Sequence, residues 1–309
     1  MKPKKQLIDL ITKTKPLFFS CVQECNSNYR FGNELNFYRK VIARHRESMN
    51  ITLMLSEEEF IELIYATLKA WNMDQRNAEL TAPDDLKRSI RSFKNELEQL
   101  YKYKLINISK DEMTAVVYLL QKIFCSLDVM ASKRRIVGVS KTLHLLLPDL
   151  VMPMDSKFTM TYFYGYNKYS PCPVKEFEIF KRTFLKTKAI ATSLALTAEA
   201  ADGNNWNTTI PKLIDNATIG FNSYFETSIK KSGDDAPEKM MEFILGFGDI
   251  PKDDKALYIK LLAKLKAQSD ATLRKKVEKK IIIKKAIEAG ITVSDEEIEQ
   301  ELRRRGQYV

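Results

Sequence analysis

Apolar residues recur at intervals of three and four along most of this chain, and this spacing is the feature that most constrains its fold. It places an apolar stripe along one side of an α-helix, and that stripe must be buried against other elements. Separate stripes begin at Phe60, Leu86, Val116, Phe177 and Leu213. The chain also has only ten glycines and ten prolines, so few positions interrupt a helix. We therefore predict an all-α fold of several packed helices.

Two short sequences predict where helices begin. Residues 56–59 (Ser-Glu-Glu-Glu) and 109–112 (Ser-Lys-Asp-Glu) both fit the capping box, in which a serine and a glutamate each bond the other's backbone N–H. Signals for β-structure are weak. The stretches 51–54 and 105–108 could form short strands, but no clear hairpin turn connects them.

A change of composition near residue 231 predicts a domain boundary. The length of 309 residues, 44% of them hydrophobic, is enough for one large domain with an appended segment. Residues 230–237 are polar and rich in helix breakers, which is typical of a linker. We therefore predict a multi-helix globular domain over residues 1–231 and an appended basic helical extension over residues 232–309.

The positive charge of the chain is concentrated in that extension. The formal net charge is +10, and the stretch 255–285 alone holds eleven Lys or Arg against two acids. Its clustered cations would form a band along one helix, which attracts phosphate groups without sequence specificity. The candidate nucleic-acid-binding residues are Arg274, Lys275, Lys276, Lys279, Lys280, Lys284 and Lys285. A solvated helix face is the plain alternative, and an acidic protein partner or a membrane surface is a further one.

The densest group of reactive side chains lies in a nearly apolar central stretch. Lys141, His144 and Asp155 fall close together there, and unpaired charge in such surroundings is costly to bury. We expect Ser140 to be the N-cap of a short helix that Pro148 ends. Lys141 and His144 would then occupy neighbouring positions on one face. A second helix is expected to begin near Asp155.

This stretch permits two interpretations. In the structural one, Asp155 is an N-cap, Lys141 lies at the surface and His144 is a hydrogen-bonded core residue. In the functional one, Lys141 and Asp155 are candidate catalytic residues, a partly desolvated amine beside a carboxylate. The tyrosine-rich stretch that follows is most simply core packing with a tyrosine-rich rim, and it would place any pocket near Asp155. The candidate ligand-binding residues are Ser140, His144, Lys157 and Tyr162.

Two parts of this stretch resemble the helix–hairpin–helix DNA glycosylases. Residues 137–141 (Val-Gly-Val-Ser-Lys) match the hairpin and its lysine, and residues 152–155 (Met-Pro-Met-Asp) match the segment that carries the aspartate. The resemblance implies a phosphate-binding hairpin, Lys141 as nucleophile and Asp155 as support for a charged sugar. Ser140 stands where that family has a second glycine, and the lysine-to-aspartate spacing is shorter than the family leads us to expect.

A longer resemblance links the chain to a group of uncharacterised prokaryotic proteins. It covers roughly residues 35–225 and rests on two ordered motifs, TL-x-x-W-x-M at residues 67–73 and SK-x-LH-x-LLPDL-x-x-P-x-D-x-x-(Y/F)T at residues 140–159. Where the group often has an arginine after the aspartate, this chain has Ser156, and Lys157 is the candidate substitute. The resemblance implies no particular activity.

Other sequence signals narrow the class of protein. No window approaches the roughly 18 consecutive apolar residues of a membrane helix, and the N-terminus lacks a signal-peptide cleavage site, so we predict a cytoplasmic protein without a membrane span. The four cysteines suit reduced thiols and have too few companions for a zinc site, so no metal is predicted. Walker A, Rossmann, zinc-protease and nucleophile-elbow sequences are absent, so no cofactor is predicted.

Three functions remain open after these exclusions. The leading hypothesis is a nucleic-acid-associated binding protein with a helix–turn–Asp site and a basic C-terminal arm. The first alternative is a glycosylase- or lyase-like enzyme that uses Lys141 and Asp155. The second alternative is a non-catalytic structural or interaction module, in which both features are scaffolding.

Overall fold

The fold is helical throughout the part of the chain that the structure describes. The computed structural model describes residues 15–29, 32–75, 78–132, 135–164 and 170–224, together with residue 294. These residues form eleven α-helices, one short 3-10 helix and no β-strand, which confirms the all-α prediction. The nearest approach to a sheet among them is an isolated antiparallel bridge between Leu80 and Met130. No helix in these ranges is long and apolar enough to cross a bilayer.

The connections between consecutive helices range from a single residue to the stretch 194–209. In chain order the helices are α1 (Lys15–Asn28), α2 (Asn33–Ser48), α3 (Ile51–Ser56), α4 (Glu58–Ala70), α5 (Pro83–Ser92), α6 (Lys94–Tyr101), α7 (Lys110–Ser126), α8 (Ile136–Leu146), α9 (Thr159–Tyr164), α10 (Pro173–Ser193) and α11 (Ile210–Tyr224). The main packed pairs are α1 with α11, α2 with α4 and α7 with α10.

The crossing of α1 and α11 is close because α11 carries a glycine at the contact. A Cβ atom added to Gly220 would lie 1.8 Å from the backbone oxygen of Cys21. Any larger residue would therefore push the two helices apart. The contact joins the first and last helices of this part of the chain and fixes one wall of the site described below.

Helix α8 runs through the middle of the core. Val139 and Leu143 are fully buried on it. Gly138 lets it approach the preceding segment, since a Cβ atom there would lie 2.3 Å from the sulfur of Met130. After Leu146 the chain leaves the helix and remains largely buried through residues 150–154. This buried segment carries Asp155 back towards α8.

The structure contradicts two local predictions near residue 56, the strand over residues 51–54 and the capping box over residues 56–59. Both are wrong for the same reason. Asn50 caps a helical turn, because its Oδ1 accepts the N–H of Leu53 at 3.1 Å, so residues 51–54 are helical rather than a strand. Ser56 therefore ends α3, and its hydroxyl donates to the Leu53 carbonyl at 2.6 Å. Helix α4 then begins at Glu58 without a side-chain cap.

The second capping box is confirmed. The Ser109 hydroxyl oxygen accepts the N–H of Glu112 at 3.2 Å, and the Glu112 carboxylate accepts the N–H of Ser109 at 2.9 Å. Residues 105–107 form a turn rather than a strand. The continuous apolar stripe from residue 86 to residue 100 is divided between α5 and α6, which meet at Phe93.

The contacts within the chain divide it into two units, residues 1–225 and residues 226–309. Apart from Ser294, the second unit lies outside the described residues. The predicted boundary between residues 231 and 232, and the basic helical extension that follows it, therefore stay predictions.

Candidate functional site

A cleft of about 320 Å³ lies where α8, α11 and the segment before α9 come together. The ends of α1 and α4, the start of α2 and the loop that precedes α11 complete its walls. Its charged lining residues are Glu34, Lys141, Asp155, Lys212 and Asp215. Its aromatic lining residues are Tyr29, Trp71, Phe158 and Trp206. The volume is at the small end of the range for ligand pockets, which is about 300–1,000 Å³.

Lys141 and Asp155, the two candidate catalytic residues, meet in this cleft. The Nζ of Lys141 lies 4.0 Å from the Oδ2 of Asp155, and the Lys141 side chain is only 12% exposed. The same amine donates to the backbone oxygen of Trp71 at 3.4 Å and lies 5.6 Å from the centre of the Trp71 ring. Burial lowers the pKa of Lys141, and the charge of Asp155 opposes that change. The pair combines a largely desolvated amine with a carboxylate.

Asp155 also holds the start of α9. Its Oδ1 accepts the N–H of Lys157 at 2.7 Å and the N–H of Phe158 at 3.1 Å. Its own N–H donates to the Thr159 hydroxyl at 2.9 Å. One carboxylate oxygen therefore accepts N–H groups of the turn that precedes α9, and the other faces Lys141. The structural and functional interpretations of Asp155 are compatible, because they concern different oxygens.

A second lysine–aspartate pair, on α11, also lines the cleft. The Nζ of Lys212 donates to the Oδ2 of Asp215 at 2.5 Å, and the two residues are only 5% and 4% exposed. Burial raises the pKa of Asp215, and the charge of Lys212 opposes that rise. Sequence analysis missed this pair. A usable signal was present, since the two charges lie three residues apart within an otherwise apolar helical stripe.

Aromatic rings form the back and the rim of the cleft. Both tryptophans of the chain, Trp71 and Trp206, line it. Trp206 stacks on the buried Tyr38 with ring centres 5.6 Å apart, and the Lys212 amine lies 4.9 Å from the Trp206 ring centre. At the rim, Tyr29 is 43% exposed and meets Phe158 edge-on at 6.4 Å. The cleft therefore offers ring faces and edges as well as charge.

Three asparagines form a cluster between α1, α11 and the loop that precedes α11. The Oδ1 of Asn207 accepts from the Nδ2 of Asn26 at 3.0 Å and from the Nδ2 of Asn216 at 3.2 Å. Asn216 is fully buried and belongs to the cleft wall. Its Oδ1 has no hydrogen-bond partner in the described part of the chain. A buried acceptor in this state is costly. The Oδ1 of Asn26 also lacks a partner among the described residues, and reversal of all three amides would let the Asn207 nitrogen donate to both oxygens.

His144 lies behind the cleft and does not line it. Burial lowers its pKa to about 3, so the ring is neutral and carries one proton. Its Nδ1 lies 2.7 Å from the Val151 carbonyl, which can only accept, so the proton is on Nδ1. Its Nε2 then accepts the Tyr38 hydroxyl at 2.9 Å, and the Thr208 hydroxyl donates to Tyr38 at 2.5 Å. Both ring nitrogens are thus satisfied within the core.

Ser140 lies inside α8, so its predicted N-cap role is wrong. The helix begins four residues earlier, at Ile136, because the apolar residues there pack into the core. The Ser140 hydroxyl donates to the Val137 carbonyl at 3.0 Å and accepts the N–H of Met154 at 3.2 Å. It fixes the segment that leads to Asp155 rather than facing the cleft.

The other two predicted ligand-binding residues lie away from the lining of the cleft. Tyr162 is buried and packs edge-on against Phe163 and Phe221, at 5.0 and 5.7 Å between ring centres. Lys157 is exposed, and its amine lies 5.0 Å from the ring centre of Phe158. Of the named candidates, the structure brings Lys141 and Asp155 together in the cleft.

The segment that resembles a phosphate-binding hairpin is helical. Residues 137–141 lie within α8, and Gly138 serves the close contact with Met130 instead of a turn. The lysine and the aspartate of that resemblance nevertheless converge. The seven candidate nucleic-acid-binding residues, Arg274 to Lys285, lie outside the described residues.

Comparisons with known proteins add no identification. No protein-family model matches the chain, and no curated protein or solved structure shows significant similarity to it. Within the ranges that the structure describes, no group of three or more His, Cys, Asp or Glu side chains is placed to hold a metal ion. The cysteine nearest the site, Cys25, lines the cleft with a thiol whose pKa burial raises to about 12.

Proposed function

We propose that this chain is a cytoplasmic nucleic-acid-binding protein that takes one unstacked base into the cleft. The observation that carries the proposal is the exposed ring of Tyr29, which stands with Phe158 at the mouth of a base-sized cavity. Proteins that read single strands place bases on aromatic rings in this way. The basic segment at residues 274–285 would bind the phosphate backbone.

The two tryptophans provide a direct test. Because both line the cleft, intrinsic fluorescence reports its occupancy without a label. Short single-stranded DNA and RNA, and free nucleosides, are expected to change the emission in a saturable way. Tyr29→Ala should weaken binding by a factor of about 5 to 150, since stacking on one ring is worth about 1–3 kcal/mol.

The matched control for Tyr29→Ala is Tyr118→Ala. Tyr118 is even more exposed, at 66%, but lies on α7 and outside the cleft lining. Equal effects of the two substitutions, or no change in emission with any ligand, would contradict base binding. A thermal destabilisation by Asp155→Asn without any loss of binding would favour the structural-module alternative.

The basic segment has its own test in the full-length chain. If all seven cations contact phosphates of a single strand, log Kd should change with log salt with a slope of about 5. A variant with the seven residues replaced by glutamine should have a much smaller slope. Salt-independent binding would refute this role, and would leave a solvated helix face, an acidic protein partner or a membrane surface as the explanation of the segment.

An enzymatic function is the second candidate, and the position of Lys141 favours it. Its partly desolvated amine could attack the C1′ aldehyde of an abasic sugar, forming a C–N bond and releasing water, with Asp155 near the charged imine that results. Borohydride would reduce that imine and trap the protein on abasic DNA. Trapping should vanish in Lys141→Met and persist in Lys175→Met, which removes an exposed lysine outside the cleft. Trapping that survives Lys141→Met would rule out this mechanism.

A further inference from the structure

A second hollow, which we call the tyrosine groove, has a volume of about 290 Å³. Its polar lining includes Arg46, Tyr101, Tyr103, Lys104 and Asp149, and apolar residues of α2 and of the segment after α8 complete it. A smaller hollow of about 200 Å³ adjoins the groove, because Arg46, Lys104 and Asp149 line both. None of these five residues lines the cleft, so the function proposed above leaves them unused.

Rings and cations alternate along one wall of the groove. Residues 101–104 read Tyr-Lys-Tyr-Lys, at the point where α6 ends. The amine of Lys102 lies 5.0 Å from the ring centre of Tyr103. The segment is held at Leu105, whose N–H donates to the Asp149 carbonyl at 2.8 Å. Sites that bind single strands without sequence preference have this composition, with rings for the bases and cations for the phosphates.

A buried histidine fixes the first of these rings. The Nε2 of His45 lies 2.7 Å from the Leu145 carbonyl, which can only accept, so Nε2 carries a proton. Burial lowers the pKa of His45 to about 4, so the ring is neutral near pH 7 and its Nδ1 accepts the Tyr101 hydroxyl at 3.0 Å. The two rings also stack, with centres 5.7 Å apart. A ring that is already ordered loses little conformational freedom when a ligand binds beside it.

The cations that line the groove outnumber its acid. Among the described lining residues, Arg46 and Lys104 are the cations and Asp149 is the acid. The Nζ of Lys104 lies 4.0 Å from the Oδ2 of Asp149. Arg46 forms no hydrogen bond or ion pair with any residue that the structure describes. Its guanidinium therefore keeps the forked set of N–H donors that suits a phosphate group.

The loop that precedes α11 borders both the cleft and the groove. Trp206 lines the cleft, and Thr208, two residues further on, lines the groove. Two steps of the chain span at most about 8 Å, so the two lining positions are close. A ligand that is several nucleotides long is of a size to contact both hollows.

We infer that the tyrosine groove binds a flanking stretch of a single nucleic-acid strand, with a base against Tyr103 and a phosphate between Arg46 and Lys104. The inference rests on the proposed nucleic-acid-binding function and adds a second contact region to it. Asp149 is then a like charge close to the phosphate, which weakens the contact.

The salt dependence of binding tests the two cations. Binding of a labelled single strand to the full-length chain is measured by fluorescence anisotropy at several salt concentrations. Replacing both Arg46 and Lys104 by glutamine should lower the slope of log Kd against log salt by about 1.4, since each phosphate contact in a single strand contributes about 0.7. The matched control replaces Lys40 and Lys110, two exposed lysines outside the lining of both hollows, and should leave the slope unchanged.

Two single variants test the ring and the acid. Tyr103→Ala should weaken binding by a factor of about 5 to 150 and leave the slope unchanged, because it removes stacking and no charge. Asp149→Asn should strengthen binding about fivefold at low salt, the effect of removing a like charge about 4 Å from a phosphate in water. A folding defect does not raise affinity, so this variant decides the matter if the double variant does not fold.

The outcomes separate this inference from the function on which it rests. If no single strand binds the unaltered chain, the proposed nucleic-acid-binding function fails. If the strand binds but the slope falls equally in the double variant and in its control, that function stands and the groove is refuted as a phosphate site. Unchanged or weaker binding by Asp149→Asn would refute it as well. If a polyglutamate peptide binds as tightly as the strand and shows the same loss of slope, the groove is a site for an acidic protein instead.

Discussion

Glu176, at the start of α10, gives the sharpest test of the physical reasoning because it is a buried carboxyl with one unsatisfied oxygen. The residue is 1% exposed, and its Oε1 has no hydrogen-bond partner within the described residues. Burial raises its pKa from 4.5 to about 7, although the backbone N–H groups of Ser170, Arg135 and Ile136 oppose the rise. Near neutral pH the folded protein therefore holds a proton that the unfolded chain has lost.

The magnitude follows from the two pKa values. A folded pKa of about 7 against 4.5 in the unfolded chain makes ionisation in the folded state cost about 3 kcal/mol more. Because the folded state binds the proton more tightly, stability falls as pH rises from about 4.5 to about 7 and is then constant. Glu176→Gln keeps the shape of the side chain and has no proton to lose. Relative to the unaltered chain, the variant should gain about 2–3 kcal/mol between pH 5 and pH 8.

The measurement is urea unfolding of both proteins at pH 5, 6, 7 and 8, with the difference in unfolding free energy plotted against pH. The histidines contribute equally to both proteins, so their titration cancels in the difference. A difference that does not change between pH 5 and pH 8 would refute the buried-carboxyl argument. If Glu176→Gln is less stable than the unaltered chain by the same amount at every pH, the carboxyl stabilises the fold through its hydrogen bonds and its pKa is not raised.

Three further predictions concern packing, charge and protonation. Lys212→Met should lower the unfolding free energy by about 3–5 kcal/mol, because it leaves the Asp215 carboxylate buried without its partner. When Asp215→Leu is added, urea unfolding should show that most of the lost free energy is recovered. Gly220→Ala should lower the unfolding free energy by about 3 kcal/mol, since the new methyl group would overlap the backbone of Cys21. If Tm falls by less than a few degrees, the close crossing of α1 and α11 is contradicted. His144 should stay neutral in the folded protein down to about pH 3, whereas its ring in the unfolded chain gains a proton near pH 6.5. The unfolding free energy should therefore fall as pH drops below about 6.5. An NMR titration that shows the ring protonating near pH 6 in the folded protein would disprove its burial.

The sequence by itself determined the features that depend on neighbours a few positions apart. The apolar intervals placed α4, α7, α10 and α11, and the reciprocal pair Ser109 and Glu112 marked the start of α7. Lys141 and Asp155 stand in a nearly apolar stretch, and this pattern indicated that their charges need partners. Where local signals compete, as at Asn50 and Ser56, the sequence alone does not show which cap is used.

The tertiary structure decided which of these side chains share the cleft. Lys212, Asp215 and Trp206 reach Lys141 and Trp71 only because α11 packs against α1 across Gly220. His144 is close to Lys141 in sequence but is directed away from the cleft. The physical reason is that the spacing of apolar residues predicts which face of a helix is buried, but not which element covers that face. The covering element depends on how helices that are distant in sequence cross, which is a property of the packed core as a whole.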